Sequence, residues 1–261
     1  MATTFAIHVA GQTAEYARQA TSAAWRELDQ LENELSRYIE SSDIARVNRL
    51  TRGESLALGE SALECLLIAV GASIATGRAF DVAYASEGLA GEQPPFTLDP
   101  DNHTLTSHVE RLHLDLGAIG KGYALDRMAV ILGEWQISAA CLQSGGSTAL
   151  TLAAPEKTAG WPLGVGAEET HRVVSLQNAA LSGSGIAVKG THLLDPRTRA
   201  PSKRRTRTWA LAPTAAMSDA LSTAFFVMSD AEIIEFCREH PEIGAALIDE
   251  QGTLAVYGTL T

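Results

Sequence analysis

The chain has 261 residues, with 20 Lys and Arg against 31 Asp and Glu, a formal net charge of -11. A 46% hydrophobic and 20% charged composition excludes a disordered or collagen-like chain. The acidic balance argues against sequence-independent nucleic-acid binding, which needs a basic face to displace counterions. Cys65, Cys141 and Cys237 are odd in number and form no CxxC pair, so free buried thiols are expected rather than a disulfide framework. No membrane span is visible: the charge-free stretch from Trp135 to Pro155 is broken by Ser144-Gly145-Gly146 and reads as strand, turn, strand. The opening residues lack a signal-peptide pattern, so the chain as given reads as cytoplasmic, or periplasmic if a leader has been removed.

Phe5, Ile7 and Val9 alternate as in a half-buried strand. From Thr13 to Ile39 the spacing changes to that of a long helix, with Tyr16, Ala20, Ala24, Leu28, Leu31 and Leu35 on one face. Ser42-Asp43 opens a short second helix carrying Ile44 and Val47. Ser61 and Glu64 read as a capping box for a third, with Leu63, Leu66, Leu67, Val70 and Ile74 inward and Gly77 as its stop. Leu112, Leu114 and Leu116 alternate like a strand before Gly117, and a helix with Leu125, Met128 and Leu132 on one stripe follows. Strands are expected at Ala139–Leu142, Ala149–Leu152, Leu163–Val165, Arg172–Ser175, Ala179–Ser182 and Thr208–Leu211. A helix at Ser218–Met228, a capping box at Ser229 and Glu232, and a hairpin around Gly252 close the chain. This mixed order favours an α+β fold. No internal repeat or linker divides it, so residues 1–261 are expected to form one domain.

Three segments carry candidate chemistry. Residues 112–126 place Gly117, Gly120, Gly122 and Lys121 where a strand turns into a helix. Free N–H groups and the positive helix end suit an anion there, although a tight turn with a surface Lys fits as well. The spacing is neither a Walker loop nor a Rossmann fingerprint. Asp219 and Thr223 stand four apart, on one helix face with Ser222 beside them. These oxygens suit Mg²⁺, while Asp219 is equally a good helix N-terminal residue. In residues 190–201, His192 is a candidate general base because an imidazole titrates near ~6.5. It reads equally as a structural histidine, and Asp195-Pro196 marks a turn. Arg197, Arg199, Lys203, Arg204, Arg205 and Arg207 then crowd a segment that suits phosphates, an acidic partner or, most simply, a solvated loop. Phe80 and Tyr38 are each either contacts for an aromatic ligand or core residues.

Taken in order, these pieces resemble the ApbE family of FAD:protein FMN transferases. The family's opening Met-Gly-Thr corresponds to Met1-Ala2-Thr3. Its Leu-Ser-x-Tyr stretch corresponds to Leu35–Tyr38 with Ser42 and Asn48, and its Gly-x-Phe-Asp to Arg78–Asp81. Asp-Leu-Gly-x-x-x-Lys-Gly-Tyr-x-x-Asp is Asp115–Asp126, and the Gly-Gly turn is Gly145-Gly146. His192–Pro196 and Asp219 with Thr223 complete the series. The resemblance implies an α+β unit of ApbE type, related to the T-fold. It implies a Mg²⁺-dependent enzyme that splits FAD and moves FMN onto a Ser or Thr hydroxyl of an acceptor protein, releasing AMP. Tyr38, the backbone of Ala79, Phe80 and Asp81, and Met1 would hold the flavin. Asp115, Lys121 and the main chain near Leu193 would contact the rest of FAD. The Ala118 carbonyl, Asp219 and Thr223 would hold the metal, with Ser222 where some relatives place a second carboxylate. His192 would accept the proton of the attacking hydroxyl, and Asp195 would orient it or only form its turn. The chain departs from the pattern at Ala2, Arg78, Gln143 and Arg199, and residues 182–189 lack the Tyr-Glu and Arg that many members carry. Hydrolysis of FAD to FMN and AMP, or FAD binding without turnover, are the alternatives.

Overall fold

The Thr13 hydroxyl accepts the Tyr16 amide and opens helix α1 (Ala14–Leu35), which follows strand β1 (Phe5–Val9) in the computed structural model. The structure describes residues 3–88, 93–166, 170–185, 194–202 and 204–260. α1 stops four residues short of Ile39. The Ser42 hydroxyl donates to Ser36 O at 2.7 Å, folding residues 36–42 back into a turn, and the same side chain caps α2 (Asp43–Val47).

After strand β2 (Ser55–Ala57), helix α3 (Glu60–Ala75) is capped by Gly59 and not by the expected Ser61–Glu64 box. Glu64 instead accepts the Tyr123 hydroxyl at 2.6 Å. α3 buries Ala62, Leu63, Cys65, Leu66, Ala69 and Ala72, whereas Leu67 is 40% and Ile74 75% exposed. Apolar residues surround this helix on all sides, so periodicity could not choose its inward face. The buried face combines Leu63 and Leu66 with the smaller Ala62, Cys65, Ala69 and Ala72.

Strands β3 (Phe96–Asp99) and β4 (Thr104–Ser107) join β2 in a small antiparallel sheet of order β2-β4-β3, which the sequence did not reveal. Residues 112–116, expected as a strand, do alternate in burial but pair with no ladder among the described residues. The Val82 carbonyl takes the Asp115 amide at 2.9 Å, and side chains satisfy other backbone groups. Asn48 takes the Leu114 amide at 2.6 Å and donates to its carbonyl at 3.0 Å, while the Ser86 hydroxyl takes the His113 amide at 3.0 Å.

Helix α4 (Gly120–Glu134) follows, then β5 (Ala140–Ser144), β6 (Thr148–Thr151), β7 (Trp161–Val165), β8 (Arg172–Leu176), β9 (Ala179–Gly185) and β10 (Arg205–Ala212). Helices α5 (Ala215–Val227) and α6 (Asp230–Glu239) and the hairpin β11 (Gly244–Asp249) and β12 (Leu254–Gly258) complete the order. The Ser229–Glu232 capping box is present as expected. Seven strands form one antiparallel sheet, β1-β5-β6-β9-β10-β11-β12, with β1 and β12 as edges. Gly145 and Gly146, with φ of 59° and 66°, make the tight β5–β6 turn.

α4 packs on β5 and β6, α5 on β9 and β10, and α1 on α4, so the helices cover one face of the large sheet. The β7–β8 hairpin covers the other through Leu163 and Val165 against Leu181, Leu211 and Ala246. All three cysteines are free and buried, and burial raises their thiols, Cys141 and Cys237 up to about 11. Among the described residues no helix is long and apolar enough to cross a membrane.

Candidate active site

The site is built where the bend before α4 meets the first turns of α5. Leu116 O accepts the Gly120 amide at 2.7 Å, which turns the extended segment sharply into the helix. Asp115 closes the inner side of the bend: its Oδ1 accepts the Gly117 amide at 2.9 Å, and Arg37 Nη2 lies 3.5 Å from its Oδ2.

The helix N-terminus and Lys121, expected to meet a ligand anion, already face a carboxylate of the protein. Asp219, its side chain 2% exposed, receives Lys121 Nζ at 2.9 and 3.1 Å and the Gly122 amide at 3.3 Å. Thr148 Oγ1 donates to the same group at 3.4 Å, and Lys121 also reaches Gly117 O at 3.1 Å. A carboxylate at the positive end of α4 is a favourable placement, and Lys121 supplies the counter-charge that burial demands. The helix-cap alternative for Asp219 is thereby excluded. Thr214 caps α5, which begins one turn earlier than the sequence suggested, and Asp219 lies inside it.

Two clefts share Asp115 and Gly117 as a common wall. The larger, about 600 Å³, lies between the bend with Lys121 and the 36–39 turn, where Tyr38 is 80% exposed and stacks under the Arg37 guanidinium 4.6 Å from its ring centroid. The smaller, about 210 Å³, is bordered by Ala79, Phe80, Asp81, Ala118, Leu194 and Thr223. Phe80 is buried in the core while also bordering this cleft, and the Asp81 carboxylate takes the Ala83 amide at 2.8 Å.

Ser222 is fully buried. Its hydroxyl donates to Asp219 O at 2.8 Å and meets Ser184 Oγ at 2.9 Å, while Thr223 lies 3.3 Å from the same serine. Among the described residues no group of three or more His, Cys, Asp or Glu side chains is arranged to hold a metal. Ala118, Asp219, Ser222 and Thr223 offer only oxygen donors and one carboxylate. Such a set fits a hard cation that completes its shell with water and phosphate, and not a transition metal.

Met1, His192 and Leu193 lie outside the described residues. Asp195 forms a turn and is clasped by Arg197 at 2.9 Å, which holds its carboxyl below the usual range. The basic run is not one solvated loop. Arg197 also reaches Glu232 at 2.7 Å, and Arg205, 4% exposed, donates to the carbonyls of Phe225 and Met228 at the end of α5 and to Asp230. Arg204 and Arg207 are exposed. The two arginines standing where the family pattern has glycine, Arg78 and Arg199, both adopt the left-handed conformation, with φ of 65° and 57°. Each is tied down, Arg78 beside Asp81 at 3.6 Å and Arg199 onto Ser86 O at 3.2 Å. Sequence reasoning missed Arg37, Thr148 and Ser184. No spacing links them to the bend, which they reach only through tertiary packing.

Solved structures share this architecture. The Vibrio cholerae flavin transferase ApbE matches with a TM-score of 0.85 at 20% identity, over 99% of this chain and 94% of that one. The apo Pseudomonas stutzeri flavinyl transferase ApbE matches with a TM-score of 0.81 at 19% identity, over 98% and 91%. Among curated proteins, the FAD:protein FMN transferase of Treponema pallidum is 28% identical over 167 residues, 56% of this chain and 46% of that protein. That of Haemophilus influenzae is 25% identical over 180 residues, 62% and 48%. The match thus spans about half the length of these relatives. The family model described as "ApbE family" matches residues 1–248, and with the ordered motifs and the shared fold it places this chain in the ApbE family.

Proposed function

We propose that this protein transfers FMN from FAD to a Ser or Thr hydroxyl of an acceptor protein, with Mg²⁺, releasing AMP. Support comes from the family, from the names of the two curated relatives, and above all from one observation. The bend that separates the two clefts is pinned to α5 through Asp219, Lys121 and the Gly122 amide. The same reading takes residues 1–261 as one transferase domain, supported by a sheet that strands from both ends of the chain share.

Asp219, Thr223 and the Ala118 carbonyl would hold Mg²⁺, with Ser222 beside them. When bound there it would neutralise charge that builds on the pyrophosphate as the P–O bond breaks. Lys121, paired with Asp219 at the same end of α4, would add positive charge near those oxygens. Tyr38, Met1 and the backbone of Ala79–Asp81 would hold the flavin, and Asp115 with the Leu193 main chain the remainder of FAD. The acceptor hydroxyl oxygen bonds to the FMN phosphorus, and the bond from that phosphorus to the bridging oxygen breaks. AMP leaves with the bridging oxygen, and His192 takes the hydroxyl proton, a role typically worth ~10²–10⁴ in rate.

The test is incubation with FAD, Mg²⁺ and a flavin-accepting domain, read by in-gel fluorescence and mass spectrometry. A covalently labelled acceptor and free AMP are expected. Thr223→Ala or Asp219→Ala should abolish labelling while sparing FAD binding more, and full activity in both variants would remove the metal assignment. Free FMN and AMP without a labelled acceptor would establish FAD hydrolysis instead, the alternative that the departures at Gln143 and residues 182–189 keep open. FAD binding with no product at any Mg²⁺ concentration would mark a carrier.

A further inference from the structure

One acidic side chain of the glycine-bend motif has no part in the scheme above. Asp126 sits on α4 and faces away from both clefts toward the start of α5. Its two oxygens accept the amides of Ala215 and Ala216, each at 2.8 Å. Thr214 Oγ1 accepts the third amide, that of Met217, at 3.4 Å. The first turn of α5 therefore has its free donors satisfied, two of them by another helix. Directly beside this contact the helices touch backbone to backbone: a Cβ on Gly122 would lie 2.0 Å from Ala215 O. One turn along α5, Asp219 returns the connection to Lys121 and the Gly122 amide.

α4 thus grips α5 at two levels separated by one helical turn, and only the upper level belongs to the candidate site. The lower level does not stabilise the ionised group cheaply. Burial pushes Asp126 up to about 6, against the two amides, which favour the ionised form.

We propose that Asp126 is a positioning residue. By clamping the first two amides of α5 to α4, it sets the height and rotation at which Asp219 and Thr223 face the Gly117 bend. The consequence for catalysis rests on the functional reading above; the clamp itself does not.

Asp126→Asn and Asp126→Ala are compared with Thr214→Ala, which removes a cap of the same helix end without touching α4. Three quantities are read: amide hydrogen exchange at Ala215 and Ala216, FAD affinity, and kcat for FAD turnover with Mg²⁺. Asp126→Ala should speed exchange at both amides at least ~10-fold and lower kcat by ~10–100-fold, with FAD affinity held within ~3-fold. Asp126→Asn keeps one acceptor and should fall between. Thr214→Ala should leave kcat within ~2-fold. Unchanged exchange in Asp126→Ala, or equal loss of kcat in Thr214→Ala, overturns the proposal. If the wild-type protein turns over no FAD, the functional reading fails alone. The clamp is then decided by whether the lost protection in Asp126→Ala spreads along α5 to the Asp219 amide, as the proposal requires, or stays at the first turn, which would refute it.

Discussion

Gly122→Ala is the sharpest probe of the contact between α4 and α5. The added methyl would lie 2.0 Å from Ala215 O, 2.4 Å from its carbonyl carbon and 2.7 Å from the Ala216 nitrogen, all backbone atoms that cannot rotate aside. Reaching even 3.0 Å, the floor for real Cβ contacts, requires the helices to part by about 1 Å. Overpacking of this kind costs ~1–3 kcal/mol, and the rigid neighbours put this case near the top of that range. In a chain of this size that lowers the melting midpoint by about 5–10 °C. The same displacement acts on Asp219, whose carboxylate takes the Gly122 amide, so FAD turnover should fall by ~10²-fold. Gly71→Ala is the control. It lies within α3 with nothing inside 4 Å of the new Cβ and should stabilise by ~0.5–1 kcal/mol without touching activity. Urea denaturation and a coupled AMP assay read both effects. If Gly122→Ala melts with the wild type and keeps its turnover, the close approach does not hold the site together.

Lys121→Met leaves the buried Asp219 without its cation and should cost about 3 kcal/mol by urea denaturation, most of it regained in Lys121→Met with Asp219→Asn, while turnover stays lost in both. Recovery of activity in the double variant would contradict this. Arg205→Ala strips partners from two carbonyls at the end of α5 and should cost ~2–4 kcal/mol, whereas the exposed Arg204→Ala and Arg207→Ala should stay within ~0.5 kcal/mol. Equal effects at all three would restore the picture of a solvated basic loop. Asp126 binds its proton more tightly folded (about 6) than unfolded (3.8), so its contribution to stability is fully present below about pH 4 and is lost as pH rises through 6. Wild type should therefore lose up to ~3 kcal/mol relative to Asp126→Asn between pH 4 and pH 7. Glu64 of α3 and Asp219 of α5 face it with negative charge, and Lys121 and Arg127 of α4 partly offset them, Arg127 being shared with Glu27 of α1. A flat or reversed difference across that range would refute the assignment.

Long patterns were legible in the sequence. α1, α4, the Ser229–Glu232 cap of α6 and the closing hairpin were each announced by a period or a cap that acts within a few residues. The ordered motifs identified the family and drew attention to Asp115, Lys121, Asp219 and Thr223. What failed were inferences that needed a neighbour. Leu112–Leu116 looked like a strand because its leucines alternate, yet the His113, Leu114 and Asp115 amides are taken by Ser86, Asn48 and the Val82 carbonyl, outside any strand ladder. Ile74 looked inward because it fits the helical period, but α3 packs through the face of Ala62, Leu63, Cys65, Leu66, Ala69 and Ala72 and leaves Ile74 exposed. Arg205 looked solvated within a basic run, and instead closes the end of a helix.

Local chemistry in this chain determined most of its helices and the strands of the large sheet, because capping and hydrophobic spacing act over a handful of residues. Turns and single helix faces pair neighbouring charges such as Asp195 with Arg197, but tertiary packing decided which charges meet at the candidate site. The anion at the start of α4 is the side chain of Asp219, brought from nearly a hundred residues away to a place where a cation and a backbone donor converge to offset its burial.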